Sequence, residues 1–151
     1  MKFLFSLLLF PLLAMAQPKY GGPITHIAFL SSYSSEQTIA TLKKTLEQKG
    51  ITVFATIDHQ AAAKAVGEEL SPITLLIVGN PKVGTALMQE EPFMGIELPL
   101  KIVVYEQDKK VWVGYKPIAP IVKEYHLEKS KGIAEKIDTT MQQLIRLSIG
   151  N

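Results

Sequence analysis

The sequence predicts an α+β domain, on three observations. Strand, helix, strand and strand patterns follow one another through residues 24–78, a hairpin pattern occupies residues 100–116, and a long amphipathic helix closes the chain over residues 129–147. The hairpin forces antiparallel pairing, and a helix with a single apolar stripe is free to cover one face of the resulting sheet. The opposite face is then wet, or it pairs with a second subunit.

The first element is an address. Lys2 forms a short basic region, Phe3 to Met15 is apolar apart from Ser6 and Pro11, and Ala14-Met15-Ala16 supplies small residues at the two positions that a signal peptidase reads. The run is too short to cross a bilayer as a helix, which takes about 20 residues. The pattern predicts a cleaved signal peptide over 1–16, cut after Ala16, and hence export to a periplasm. Residues 17–23, with two prolines and two glycines, read as a flexible lead-in to a single domain at 24–151.

Ile24 to Ser32 is a β-rich run. Ser34 and Gln37 then have the capping-box spacing, and Ile39, Leu42 and Leu46 recur at helical intervals up to Gly50, a natural left-handed cap. Ile51 to Ile57 alternates, with Ile51, Val53, Ala55 and Ile57 on one face of a half-buried strand and Thr52, Phe54 and Thr56 on the other. Asp58 caps a short helix through Ala61-Ala62-Ala63 that ends near Gly67. The unbroken apolar run Ile73 to Val78 predicts a strand covered on both faces. Gly79-Asn80-Pro81 ends it, and a short helix from about Lys82 to Glu90 stops at Pro92. Leu100 to Gln107 and Val111 to Lys116 form the hairpin through Asp108-Lys109, and Pro117 and Pro120 break the sheet pattern. The last helix carries Ile133, Ile137, Met141, Leu144 and Ile145 along one stripe.

Composition excludes whole classes of function. The 151 residues hold 16 Lys+Arg against 14 Asp+Glu, and loss of Lys2 with the leader lowers the net charge from +2 to +1. A near-neutral balance argues against nucleic acid or an anionic membrane as partner. With no cysteine there is no disulfide, thiolate metal site or cysteine nucleophile. Nothing after residue 16 is apolar for long enough to span a bilayer.

Four phrases belong together: Ile57-Asp58-His59-Gln60-Ala61-Ala62-Ala63, Leu76-Ile77-Val78-Gly79-Asn80-Pro81-Lys82-Val83-Gly84-Thr85, Glu97-Leu98-Pro99-Leu100-Lys101, and Val111-Trp112-Val113-Gly114-Tyr115. In this order and spacing, from about Ile24 to Leu147, the chain resembles the family catalogued as domain of unknown function 302. That resemblance implies a curved antiparallel sheet with helices packed on it, similar to the TATA-box-binding-protein-like fold, and often a homodimer. It implies no activity, and function belongs to sites rather than to folds.

The candidate chemistry is sparse. Asp58-His59, a histidine beside a carboxylate at a strand-to-helix junction, has the types needed for a general base near neutral pH, but the favoured reading is that Asp58 caps the helix and His59 sits at its first position. Asn80 at the end of a buried strand is placed to fix a substrate carbonyl or an anion, or simply to shape the turn. A two-residue turn at Asp108-Lys109 sets Gln107 against Lys110, Tyr105 against Trp112, Val103 against Gly114 and Lys101 against Lys116. Two lysines face to face are unfavourable unless a negative group lies between them. Glu97 is one candidate, a small anionic or polar ligand held by Lys101 and Lys116 with Lys82 and Asn80 is another, and the competing reading is a solvated lysine face with no ligand. His26, His59 and His126 have no close ligand spacing, and Met88, Met94 and Met141 suit core filling as well as copper(I), so no metal site and no cofactor is assigned. Walker and Gly-x-Ser-x-Gly motifs are absent. The leading expectation is a non-catalytic exported module, dimeric, that binds a small ligand or a partner protein. The alternatives are a small hydrolase- or isomerase-like enzyme using His59 with Asn80, and a periplasmic metal or haem carrier.

Overall fold

The computed structural model describes residues 26–150; the expected signal peptide, its cleavage after Ala16 and the lead-in at 17–23 lie outside them. Five strands form one fully antiparallel sheet. They are β1 (Ile27–Ser31), β2 (Thr52–Asp58), β3 (Ile73–Gly79), β4 (Leu100–Gln107) and β5 (Lys110–Tyr115), in spatial order β1-β5-β4-β3-β2. Among the described residues four helices lie between strands, α1 (Ser35–Gln48), α2 (His59–Ala65), α3 (Pro81–Glu90) and α4 (Met94–Glu97), and two follow the last strand, α5 (Ala119–Glu124) and α6 (Lys131–Ser148). The α+β expectation, with a long C-terminal helix, is met.

Local chemistry accounts for most boundaries. Ser34 caps α1 by accepting from Gln37 N at 3.2 Å, and the helix gives way to Lys49 and a left-handed Gly50 at φ 69°. The hairpin turns on Asp108 (φ 53°) and Lys109 (φ 59°), the type I′ geometry whose twist suits a two-residue connection, and its register is the expected one. Pro81 starts α3, where a missing N–H costs nothing. The peptide bond between Leu98 and Pro99 is cis.

The core lies between one face of the sheet and the helices. Leu76, Val78, Ile102, Val104, Val113 and Tyr115 rise from the strands to meet Leu42 and Leu46 of α1, Ile121 and Val122 of α5, and Leu144 and Ile145 of α6. Three expectations are corrected. A bulge between Val53 and Ala55 breaks the alternation of β2: Val53 pairs with buried Val78, while Ala55 and Ile57 pair with Ile77 and Leu75 on the other face. β3 is covered fully on one face only, since Leu76 and Val78 are buried but Ile73, Leu75 and Ile77 remain half-exposed. The segment read as broken by Pro117 and Pro120 holds α5, with Pro120 in its first turn, where proline is tolerated.

The half-exposed face is apolar from edge to edge. Leu30 pairs with Trp112, Trp112 with Tyr105, Tyr105 with Ile73, and Val103 with Leu75, which pairs with Ile57. Leu30 keeps 41% and Ile57 38% of its surface exposed.

Candidate functional site

Behind the sheet, where the C-terminal ends of α1 and β3 meet α3 and α6, lies a groove of about 680 Å³. Its floor and walls are apolar. Ile51 and Phe54 come from the start of β2, Val83 and Met88 from α3, Leu98 from the loop before β4, and Ile133, Ile137 and Met141 from α6. The helical spacing of the last three is the reason a single stripe both enters the core and lines the groove: Met141 is buried, while Ile133 and Ile137, nearer the start of α6, are only half-covered. Phe54, displaced by the bulge, stands 49% exposed, and its ring would meet a Cβ on Gly79 at 3.3 Å.

The polar part of the lining is cationic. Lys49, Lys82 and Lys136 contribute, with Asn80 and Thr140, and among the described residues no carboxylate lines the groove. Asn80 is committed to the backbone: Oδ1 accepts from Lys82 N at 3.0 Å and Nδ2 donates to Gly50 O at 3.4 Å. It thereby caps α3 and ties the end of β3 to the end of α1. Glu90, at the far end of α3, accepts from Lys129 N at 3.0 Å and from Ser130 Oγ at 2.6 Å. These bonds fasten α3 to the start of α6, and so hold the two helical walls together. The Ser130 hydroxyl is the main reason the Glu90 carboxyl lies below the ordinary carboxylate range.

The sequence candidates fall in three places. Asn80 and Lys82 line the groove. Lys101, Lys116 and Glu97 line a smaller recess of about 210 Å³ beside Ile118 and Ile121 of the α5 segment. There Glu97 pairs with Lys116 at 3.5 Å, and the Lys101 ammonium faces the carbonyls of Ile96, Glu97 and Pro99 at 3.3–3.5 Å. Glu97 is thus the negative group beside the lysines. Asp58 and His59 stand apart: Asp58 Oδ1 accepts from Ala61 N at 2.9 Å to cap α2, and His59 is the first, exposed residue of that helix. They occupy the opposite end of the β2–β3 pair from Asn80, roughly 20 Å away along a seven-residue strand. His59 and Asn80 are therefore not brought together. Among the described residues no three His, Cys, Asp or Glu side chains converge as a metal site. Met94 and Met141 are buried and Met88 sits half-exposed at the groove.

Sequence reasoning missed Lys49, Lys136, Phe54 and Thr140, which belong to three elements and meet only in the fold. It also missed Asp138. This buried carboxylate on α6 accepts from Ile118 N at 2.9 Å and Ala119 N at 2.8 Å, so it caps α5, which has no capping side chain of its own. Burial raises its pKa against the opposing pull of those two N–H groups. Tyr115 donates to the Asp138 carbonyl at 3.3 Å, and burial, with the Asp138 charge second, pushes its phenol up to about 12.

Comparison with known proteins places this architecture. A family model described as domain of unknown function DUF302 matches residues 27–147. Over 111 residues the chain is 34% identical to "Fluoride-specific ion channel FluC 1" of Brucella suis, covering 73% of this chain and 44% of that protein. It is also 34% identical over 111 residues to "Fluoride-specific ion channel FluC 2" of Brucella melitensis, covering 73% of this chain and 41% of that protein. The chain thus spans less than half the length of the curated relatives it matches. A crystal structure of an uncharacterized conserved DUF302 protein from Bacillus stearothermophilus shares the fold, with a TM-score of 0.78 at 23% identity over 83% of this chain and 99% of that one.

Proposed function

The chain belongs to the DUF302 family, and we propose that it works as an exported, non-catalytic binding module whose small ligand sits in the groove between α3 and α6. One observation carries this reading: a groove of about 680 Å³ with apolar walls, three lysines and, among the described residues, no carboxylate. The volume suits one small molecule, and a mostly apolar lining with a few convergent polar groups is the usual makeup of a ligand site. The placement of His59 and Asn80 at opposite ends of the β2–β3 pair favours a binding role over the enzyme reading that pairs them. The test is native mass spectrometry of the protein expressed with its leader and recovered from the exported fraction. A mature chain beginning at Gln17 with a defined retained mass, lost in Ile137→Asp with helicity intact, supports the reading. A chain still carrying its leader contradicts the export claim, and a retained mass that survives the substitution contradicts the location.

The same module is proposed to dimerise through the open sheet face, because an apolar strip crossing all five strands is costly to leave in water. Sedimentation velocity checks this: Trp112→Lys shifts a dimer to monomer, and an unchanged sedimentation coefficient rejects the face as the interface. A second reading, partner binding, is favoured by the relatives in which a similar segment is part of a longer protein named as a fluoride channel. Among the described residues no helix is long and apolar enough to cross a membrane, so this domain is proposed to act beside a channel rather than as one. If so, adding it to vesicles containing such a channel changes the rate of fluoride efflux; an unaltered rate discards this reading.

A further inference from the structure

Resting on the reading of the groove as the ligand site, we infer that its ligand is a fatty-acid carboxylate: one apolar chain along Ile51, Val83, Ile133 and Ile137, with the head group at the lysine rim. The walls supply the first half of the argument. Phe54 and Met88 leave 49% and 37% of their surface exposed at the groove, beside half-covered Ile133 and Ile137. Those side chains offer no hydrogen bond to a polar occupant, and an apolar one removes their surface from water.

Charge supplies the second half. Lys49 comes from the end of α1, Lys82 from the first turn of α3, and Lys136 from α6, so three elements each bring a lysine to the lining of one groove. Among the described residues none of the three has a carboxylate partner; the ion pair present, Lys116–Glu97, belongs to the other recess. Three lysines lining one trough, with no carboxylate among the described residues beside them, make it a positive surface that favours an anionic occupant over a neutral one. Asn80 is spent on Lys82 N and Gly50 O, which leaves the lysines and the Thr140 hydroxyl for the head group. An apolar body with a single negative end satisfies both halves. A small inorganic anion leaves the walls wet, and a neutral hydrocarbon leaves the lysines unanswered.

Titration calorimetry on delipidated wild-type protein tests this with C8, C10, C12 and C14 carboxylates, the C12 alcohol, C12 lysophosphatidate, acetate, and vesicles of anionic phospholipid. Each buried methylene is expected to tighten binding roughly twofold to fourfold, up to the length that fills the groove. The C12 alcohol binds at least tenfold more weakly than the C12 acid. The exposed double variant Lys82→Glu/Lys136→Glu, chosen because it leaves the core untouched, loses at least tenfold in affinity for the acid and none for the alcohol. Affinity that does not change with chain length overturns the inference, as does a preference for the alcohol. Tighter binding of lysophosphatidate than of the acid overturns the carboxylate assignment, and vesicle binding without acid binding assigns the lysines to a membrane surface instead. Binding of acetate alone ends the fatty-acid inference while the small-ligand reading stands; no binding of any probe, together with no retained mass in the exported protein, ends both.

Discussion

Replacing Asp138 by alanine should cost the domain about 2–3 kcal/mol, far more than a typical polar residue on an amphipathic helix. Its two carboxylate oxygens accept from Ile118 N and Ala119 N at 2.9 and 2.8 Å, and α5 has no other cap. Ile118 is fully buried, so its N–H has no water to turn to once the carboxylate is gone; Ala119 is half-buried and recovers part of its loss. A buried donor left unpaired costs about 1–3 kcal/mol and a partly wet one less. The gain from no longer burying a carboxyl offsets some of this, since burial holds the Asp138 pKa up. For a domain of this size the loss corresponds to a fall in Tm of roughly 8–12 °C. Asp138→Asn keeps one acceptor but sets an NH2 against the second N–H, so about half the loss is expected. The pH dependence has a definite sign. A carboxyl whose folded pKa lies above its unfolded value of 3.8 makes the native state the better proton binder, so wild-type stability relative to Asp138→Asn rises as pH falls toward that range. Urea titrations of the three proteins at pH 7 and pH 4.5 measure both effects. A loss below about 1 kcal/mol for Asp138→Ala refutes the capping role, and an Asn variant whose deficit shrinks on acidification refutes the dominance of burial over the two N–H bonds in setting the Asp138 pKa.

Three further outcomes follow from the same geometry. Asp108→Asn with Lys109→Gly should stabilise the domain by about 1–2 kcal/mol in urea, because both positions have positive φ and the replacements tolerate it at little cost. Tyr115→Phe should flatten the loss of stability between pH 10 and 12: burial pushes the folded phenol up to about 12 against an unfolded value of 10, so wild type forfeits on the order of 2–3 kcal/mol across that window. Glu90→Gln should speed amide exchange over residues 127–132 at neutral pH by weakening the tie from α3 to α6. Because the Glu90 pKa is lowered, wild type should approach the variant as pH falls below 4.5 through the folded value.

What was legible in the sequence was local. The Ser34 cap, the left-handed Gly50, the Asp58 cap and the two-residue hairpin turn are each decided by neighbours within a few residues, and the hairpin register followed from turn length alone. Non-local features were not legible. The β2 bulge exists only against its partner β3, and it reverses the face of Ala55 and Ile57 relative to Val53. α5 was hidden because Pro117 and Pro120 read as sheet breakers, and its cap comes from Asp138, some 20 residues downstream. The groove divides the same way. Asn80 and Lys82 were visible as the turn after an apolar strand, whereas Lys49 and Lys136 join them only when α1 and α6 are packed. A pattern search for convergent cations finds nothing until those packing partners are known.

The claim on which the functional account rests is that the groove between α3 and α6 is occupied by an apolar, negatively charged ligand. The most direct measurement is a ¹H–¹⁵N shift-perturbation map of the labelled protein titrated with dodecanoate. Occupancy of the groove by dodecanoate gives saturable changes centred on Ile51, Val83, Ile137 and Thr140, with Trp112 and His59 unmoved. Changes centred on Trp112 and Leu30 instead, or none at all at saturating dodecanoate, contradict it.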